Sequence, residues 1–184
     1  MSKEDENIYG KQIKVSYELL TVDNANMLLM VNCGNEALDG HIQSHCANDY
    51  SMVTKLILNS KNNDLIGIYS LSASNLIWIS HGKHYEAPAI ELKFFVINSK
   101  YQDMPYSEDK EDGCLSSNIL SYVINDIMNF TDNFCGANFI TLYSTDIGLK
   151  FYLQNGFQEF PSETWKNDDR FLEGCTPLLL RIRP

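Results

Sequence analysis

Cationic side chains are scarce in this chain of 184 residues. Fourteen Lys and Arg stand against 24 Asp and Glu, for a formal net charge of -10. A surface of that sign repels phosphate backbones, so nucleic acid is not expected as a partner. It favours cations instead. No stretch approaches the ~18 apolar residues of a membrane span. Met1 to Asn7 is polar and charged with no apolar run behind it, so no leader or membrane partner is expected. The five cysteines, Cys33, Cys46, Cys114, Cys135 and Cys175, are odd in number and contain no Cys-x-x-Cys pair. That favours reduced thiols over a disulfide framework, and the protein is expected to be soluble and cytoplasmic. Metal ligands are also short. His41 and His45 lie four apart, but no third ligand follows at suitable spacing, so no metal site is expected.

What is present is the composition of a folded protein, 44% hydrophobic and 11% aromatic. Residues 1–10 read as a frayed, flexible tail, and 11–184 as a single domain. Ile13, Val15, Tyr17 and Leu19 alternate as in a strand. Thr21 or Asp23 is placed to cap a helix carrying Ala25, Leu28, Leu29 and Asn32, with Gly34 to end it. A weaker helix follows over Glu36–Cys46. Strands are expected at Val53–Asn59 and Leu65–Ser72, joined by a turn at Lys61–Asp64, with Leu76–Ser80 extending the sheet. Ala89–Asn98 is dense in β-branched and aromatic residues and is the strongest strand pattern. Asp103–Gly113 is a loop with five acidic residues and one lysine, a net charge of -4. A helix opens near Leu115, capped by Ser116 or Ser117, with Leu120, Val123, Ile124, Ile127 and Met128 on one face. Asn138–Tyr143 is a strand, Asp146–Asn155 a helix stopped by Gly156, and Phe157–Phe160 and Pro177–Ile182 are strands. The fold class is α/β (α+β): a mixed, mostly antiparallel sheet of six to seven strands with helices on both faces.

Thr145-Asp146-Ile147-Gly148-Leu149-Lys150-Phe151-Tyr152-Leu153-Gln154-Asn155-Gly156-Phe157 resembles a pattern of the GNAT superfamily, Asn-x-x-Ala-x-x-Phe-Tyr-x-x-x-Gly-Phe. Phe151, Tyr152, Gly156 and Phe157 match at the right spacing. Thr145 and Gly148 are small replacements for Asn and Ala. A second stretch, Phe95 to Gln102, resembles the family's approach to its coenzyme loop. The resemblance implies an acetyl-CoA or other acyl-CoA cosubstrate, whose pantetheine arm pairs with backbone groups at Phe95, Val96 and Ile97. The family's loop then carries glycines whose N–H groups close around a pyrophosphate at a helix N-terminus. Here only Gly113 remains, with Cys114 and Ser116 near glycine positions. The resemblance assigns phosphate contacts to Gln102, Gly113, Cys114, Leu115, Ser116, Ser117 and Asn118, with Lys100 or Lys110 able to face the phosphates. Phe151 is assigned to the coenzyme as well.

Acyl transfer from a thioester to an amine needs a base for the amine, a donor for the oxyanion and a proton for the leaving thiolate. Glu91, six residues before Ile97, stands where some histone-modifying members of the superfamily carry a catalytic glutamate, and is the candidate base. Tyr152 is the candidate acid, since a phenol is protonated at neutral pH. The oxyanion donor is expected from a backbone N–H near Ile97. His81 and His84 fall in a turn before the Glu91 strand. The resemblance covers about residues 50–182 and implies an N-acetyltransferase acting on a small-molecule or peptide amine by direct attack in a ternary complex; a homodimer is left open. The glycine-poor, acidic loop motivates the alternative, a GNAT-like binding or regulatory domain without catalysis. A GNAT-type toxin acting on charged tRNA is disfavoured by the net charge.

Overall fold

The computed structural model of the chain describes residues 13–107, 113–160 and 174–183. The expected tail over 1–10, and Lys110 with its acidic neighbours at 108–112, lie outside the described residues. Seven strands form one sheet: β1 Val15–Leu19, β2 Val53–Asn59, β3 Asp64–Ser80, β4 Lys83–Ile97, β5 Phe139–Ser144, β6 Gln158–Glu159 and β7 Thr176–Arg181. Their order is β1-β2-β3-β4-β5-β7-β6. The helices are α1 Glu36–His45, α2 Ser99–Gln102, α3 Leu115–Asn133 and α4 Asp146–Gln154, with 3-10 turns at Ala25–Met30 and Cys46–Asn48. The sheet is mostly antiparallel; among the described residues β4 pairs parallel with β5. The chain divides into two compact units, Met1–Ser70 with Phe95–Val123, and Leu71–Phe94 with Ile124–Pro184.

In the first unit, β1 pairs antiparallel with β2, from Val15 opposite Asn59 to Leu19 opposite Lys55. Leu56, Ile57, Leu58, Ile66, Ile68 and Tyr69 are fully buried, so the central strands are covered on both faces. The helix expected up to Asn32 is instead a 3-10 turn that stops at Met30. Asn24 takes the N-terminal position, and its side chain ties back to Thr21 N–H and Leu19 C=O rather than capping forward. At the far end Asn98 competes with helix propagation. Its Oδ1 accepts from Asn32 N–H at 2.7 Å, and its Nδ2 donates to the carbonyls of Met30 and Leu65. Tertiary bonds therefore outweigh a local periodicity that reads as helix. Gly67 is required by close approach: a Cβ there would lie 2.0 Å from the Val96 carbonyl oxygen.

The two pieces expected for β3 are one strand of 17 residues, whose last part, from Leu71, belongs to the second unit. It returns as β4 through His81 and Gly82, whose φ values of 50° and 73° make a tight two-residue hairpin turn. β5 is sandwiched. On one side it pairs antiparallel with β7 along its whole length, from Phe139 opposite Arg181 to Ser144 opposite Thr176. On the other it pairs with β4 over three residues, Ala89 to Glu91 opposite Phe139 to Thr141. Thr145 caps α4 by accepting from Gly148 N–H, and Gly156, at φ 90°, ends it.

Candidate functional site

The second unit holds both predicted catalytic residues. Its decisive feature is where the β4–β5 ladder stops. Glu91 opposite Thr141 is the last pair, yet β4 runs on to Ile97 and β5 to Ser144. Beyond that pair β5 keeps only β7 as a strand partner among the described residues. Among the described residues no ladder joins Leu92–Phe94 to Leu142–Ser144.

A polar cluster sits at that end point. Glu91 is 9% exposed, and Ser72 Oγ on β3 donates to its Oε2 at 3.4 Å. Paired residues share a face of the sheet, so Thr141 stands beside Glu91, with Tyr143 two residues further along the same face. Thr141 is fully buried, and its Oγ1 has no hydrogen-bond partner among the described residues. Burial pushes the Tyr143 phenol well above its ordinary pKa, and the Glu91 charge raises it further, so that proton is held firmly at neutral pH.

Tyr152 belongs to a separate cluster. Its ring makes edge contacts with Phe151 at 5.3 Å and Phe157 at 5.6 Å, and its carbonyl accepts from Phe157 N–H. A Cβ at Gly148 would lie 3.1 Å from Ser144 Oγ and 3.3 Å from Tyr152 Cε2, so the glycine at the family's alanine position gives the ring its room. Burial raises the Tyr152 phenol's pKa, which keeps it a proton donor. Gly156, at the end of α4, faces Leu180, which pairs with Ile140. α4 thus lies over the Ile140 and Leu142 face of β5, while Thr141 and Tyr143 alternate to the other face. The two predicted catalytic residues approach β5 from opposite faces.

The first unit holds the predicted phosphate contacts, and it departs from expectation. Phe95, Val96 and Ile97 form the end of β4, with the side chains of Val96 and Ile97 buried. The Ile97 carbonyl already accepts from Gln102 Nε2 at 2.9 Å, and the next amide, Asn98 N–H, donates to Ile66 C=O. Gln102 is a brace: its Nε2 also donates to Cys33 C=O. Lys100 is paired with Asp64 at 3.0 Å.

The start of α3 is closed by its own loop. Leu115 N–H donates to Met104 C=O at 2.8 Å, Gly113 C=O accepts from Tyr106 N–H, and Asn118 N–H already bonds Cys114 C=O. The expected caps Ser116 and Ser117 fall inside the helix, because Cys114 takes the cap position. Cys114 Sγ lies 3.2 Å from both Ser116 Oγ and Ser117 Oγ. Burial alone would raise its pKa, but those hydroxyls and the Ser117 backbone N–H favour the thiolate more, and the net shift is downward. Ser116 Oγ is turned to the Gln102 carbonyl. The expectation that a row of unpaired N–H groups from Cys114 to Asn118 awaits a phosphate is therefore corrected at two positions: Leu115 N–H is paired with Met104 C=O, and Asn118 N–H makes the first bond of the helix, to Cys114 C=O. A cavity of about 570 Å³ in this unit, with Lys14, Lys61, Tyr17, Tyr106 and Tyr122 on its walls, includes Asn118 alone of the predicted residues.

Sequence reasoning missed Ser72, Thr141 and Tyr143. The alternation of Thr141 and Tyr143 with Ile140 and Leu142 marks a polar face on β5, but only the strand register brings that face to Glu91. His41 and His45 stack on one face of α1 at 4.6 Å, and no cluster of three metal-ligating side chains occurs among the described residues.

Neither a family model nor a curated protein matches the sequence. Solved structures do match. AtaTR bound with acetyl-CoA superposes with a TM-score of 0.65 at 16% identity, over 91% of this chain and 92% of that one. AtaT complexed with acetyl-methionyl-tRNA gives 0.66 at 15%, over 91% and 95%. A protein of Desulfovibrio desulfuricans assigned to the GNAT acetyltransferases gives 0.57 at 11%, over 91% and 99%. SpeG of Vibrio cholerae, a spermidine/spermine N-acetyltransferase, gives 0.50 at 13%, over 91% and 92%. The chain has the GNAT fold.

Proposed function

We propose that this chain is an acyl-CoA-dependent N-acyltransferase that moves an acetyl group from acetyl-CoA to a primary amine in a ternary complex. The observation that carries the reading is the early end of the β4–β5 ladder at Glu91 and Thr141, with a nearly buried carboxylate at the point of parting. Backbone edges past that point suit the amides of a pantetheine arm, as a strand partner would. Similarity to AtaT, whose structure holds acetyl-CoA, supports the same cosubstrate here. Phe95, Val96 and Ile97 continue the β4 edge, and Phe151 helps fix the Tyr152 ring.

The chemistry assigned to these residues balances as follows. An alkylammonium gives one proton to the Glu91 carboxylate and becomes a nucleophile. Its nitrogen attacks the thioester carbonyl carbon, and the C–S bond breaks as the tetrahedral intermediate collapses. The thiolate takes a proton from Tyr152, which recovers one from the nitrogen or from solvent. The excess of acidic over basic residues draws a cationic acceptor toward the surface. SpeG and AtaT mark two acceptor classes to test, polyamines and aminoacyl-tRNA, and the net charge favours the former.

The second reading, a binding domain without catalysis, is favoured by the start of α3, where Met104 C=O already takes Leu115 N–H and the Cys114 sulfur lies against the Ser117 hydroxyl. Calorimetry with acetyl-CoA, followed by thiol release across an amine panel, separates the two. Micromolar binding with turnover supports the enzyme, and no binding supports the second reading. In the active case Glu91→Gln lowers kcat by about 100-fold, the order of a lost general base. Full turnover of that variant overturns the assignment of Glu91.

A further inference from the structure

We infer that the cavity between β1 and the first turns of α3 is a second ligand site, separate from the acyl-transfer site, that takes a planar aromatic anion of the nucleoside monophosphate type. Its lining lies wholly in the first unit and includes neither Glu91 nor Tyr152.

Its volume of about 570 Å³ falls within the roughly 300–1,000 Å³ of small-molecule sites. Charge is its first distinguishing feature. The chain carries 24 acidic and 14 basic residues, yet the described lining holds Lys14 and Lys61 and no carboxylate. The local balance thus reverses the overall one. Both lysines are exposed, and their backbones are fixed. Ser60 donates from its N–H and from its Oγ to Lys14 C=O, at 2.8 and 2.9 Å, and Lys61 N–H donates to Asn59 Oδ1. Two ammonium groups on one cavity match the double charge of a phosphate monoester.

The second feature is an aromatic wall. Tyr17 and Tyr122 stack with ring centroids 4.0 Å apart and planes 4° from parallel. Tyr17 also meets Tyr69 in an edge contact at 6.2 Å, which holds the inner ring of the stack. Tyr122 is exposed, so its other face offers a platform for one more planar ring. Exposed Tyr106 and buried Ile119 complete the apolar part of the lining. Every nucleobase has a face that stacks on an aromatic ring, so the site is expected to select for ring plus phosphate rather than for one base. In the sheet order β1 stands three strands from β4, about 14 Å at ~4.8 Å per strand. The cavity is therefore set apart from the Phe95–Ile97 end of β4, in the same unit.

Calorimetry on the full chain with adenosine monophosphate tests the inference. Its affinity is expected to exceed that of adenosine and of inorganic phosphate by at least about tenfold each, since neither carries both groups, and to fall as salt rises. Charge reversal by Lys14→Glu with Lys61→Glu is expected to weaken adenosine monophosphate at least about tenfold and to leave adenosine unchanged. Tyr122→Leu is expected to weaken adenosine monophosphate about tenfold and to leave inorganic phosphate unchanged. No binding of adenosine monophosphate at millimolar concentration, or wild-type affinity in the lysine double variant, overturns the inference. Both lysines are exposed, so the double variant is expected to keep its melting temperature; if it does not fold, Lys14→Gln with Lys61→Gln decides by the same criterion. Competition with acetyl-CoA separates a free nucleotide from the nucleotide end of the coenzyme. Unchanged binding of adenosine monophosphate to chain saturated with acetyl-CoA supports a separate site. Displacement by acetyl-CoA, with acetyl-CoA weakened equally by the lysine variant, overturns it while leaving the transferase reading intact.

Discussion

The starts of α3 and α4 pose the same physical problem and solve it differently. Each helix opens with unpaired N–H groups and a positive dipole end. At α4 the answer is a neutral side chain: Thr145 accepts from Gly148 N–H, and the substitutions relative to the family pattern stay local. At α3 the answer comes from the preceding loop, in which Met104 C=O takes Leu115 N–H, with the Cys114 sulfur against the Ser116 and Ser117 hydroxyls. The α4 start is satisfied by a cap of its own, and Tyr152 lies in the last turn of that helix. At α3 one first-turn donor, Leu115 N–H, is taken by the loop before the helix. The lesson is that one helix start can keep the pattern a resemblance predicts while another departs from it, and agreement at one says little about the other.

That contrast can be broken most sharply at Tyr152. Tyr152→Phe is expected to lower kcat by about 100-fold, the scale of a lost general acid, without changing the melting temperature; thiol release and calorimetric melting check both. An unchanged kcat places the working chemistry elsewhere. The α4 stop comes next. Gly156 has φ 90°, and an alanine there costs about 1–2 kcal/mol of stability because its Cβ is strained in the left-handed region. A denaturant midpoint shift measures this, and no shift means the turn relaxes.

Two predictions concern the α3 side. Cys114→Gly restores a glycine near the family position and removes the resident sulfur. Acetyl-CoA affinity is expected to rise about threefold, less than 1 kcal/mol, and a fall in affinity would show that the sulfur helps rather than competes. The smallest effect is a pH dependence. Because folding lowers the Cys114 pKa, the folded chain binds the proton less readily than the unfolded chain. The stabilisation is therefore present above the ordinary thiol range and is lost as pH falls through the lowered folded value. Urea titrations between pH 6 and 9 detect it, and Cys114→Ser abolishes it.

Much of the frame was legible because its causes are local. Val53–Asn59 has the bounds expected of it, Asn63 takes the positive φ its turn requires, and Gly156 stops α4. The motif through Phe151 and Phe157 gave the GNAT fold for the same reason: an aromatic pair before a left-handed glycine is a short-range device. What was illegible depends on partners distant in sequence. Asn98 reaches back 66 residues to end the turn before Asn32. Met104 removes the Leu115 donor across a loop. Thr141 and Tyr143 gain meaning only when parallel register sets them beside Glu91, because a single strand does not reveal which strand lies next to it. Lys100, read as a phosphate ligand, is drawn to Asp64 on the same surface.

The one-sided anchoring of β5 leaves a signature that needs no turnover. From Leu142 to Ser144, alternate amides are directed to β7 and the others away from it. Deuterium uptake along this short stretch therefore reads two sets of amides separately. A molecule that lies along the outer edge as a strand partner would slow the set directed to it and leave the set bonded to β7 untouched. Isotope exchange thus reports occupancy of the parted strands residue by residue, even for a ligand that never reacts.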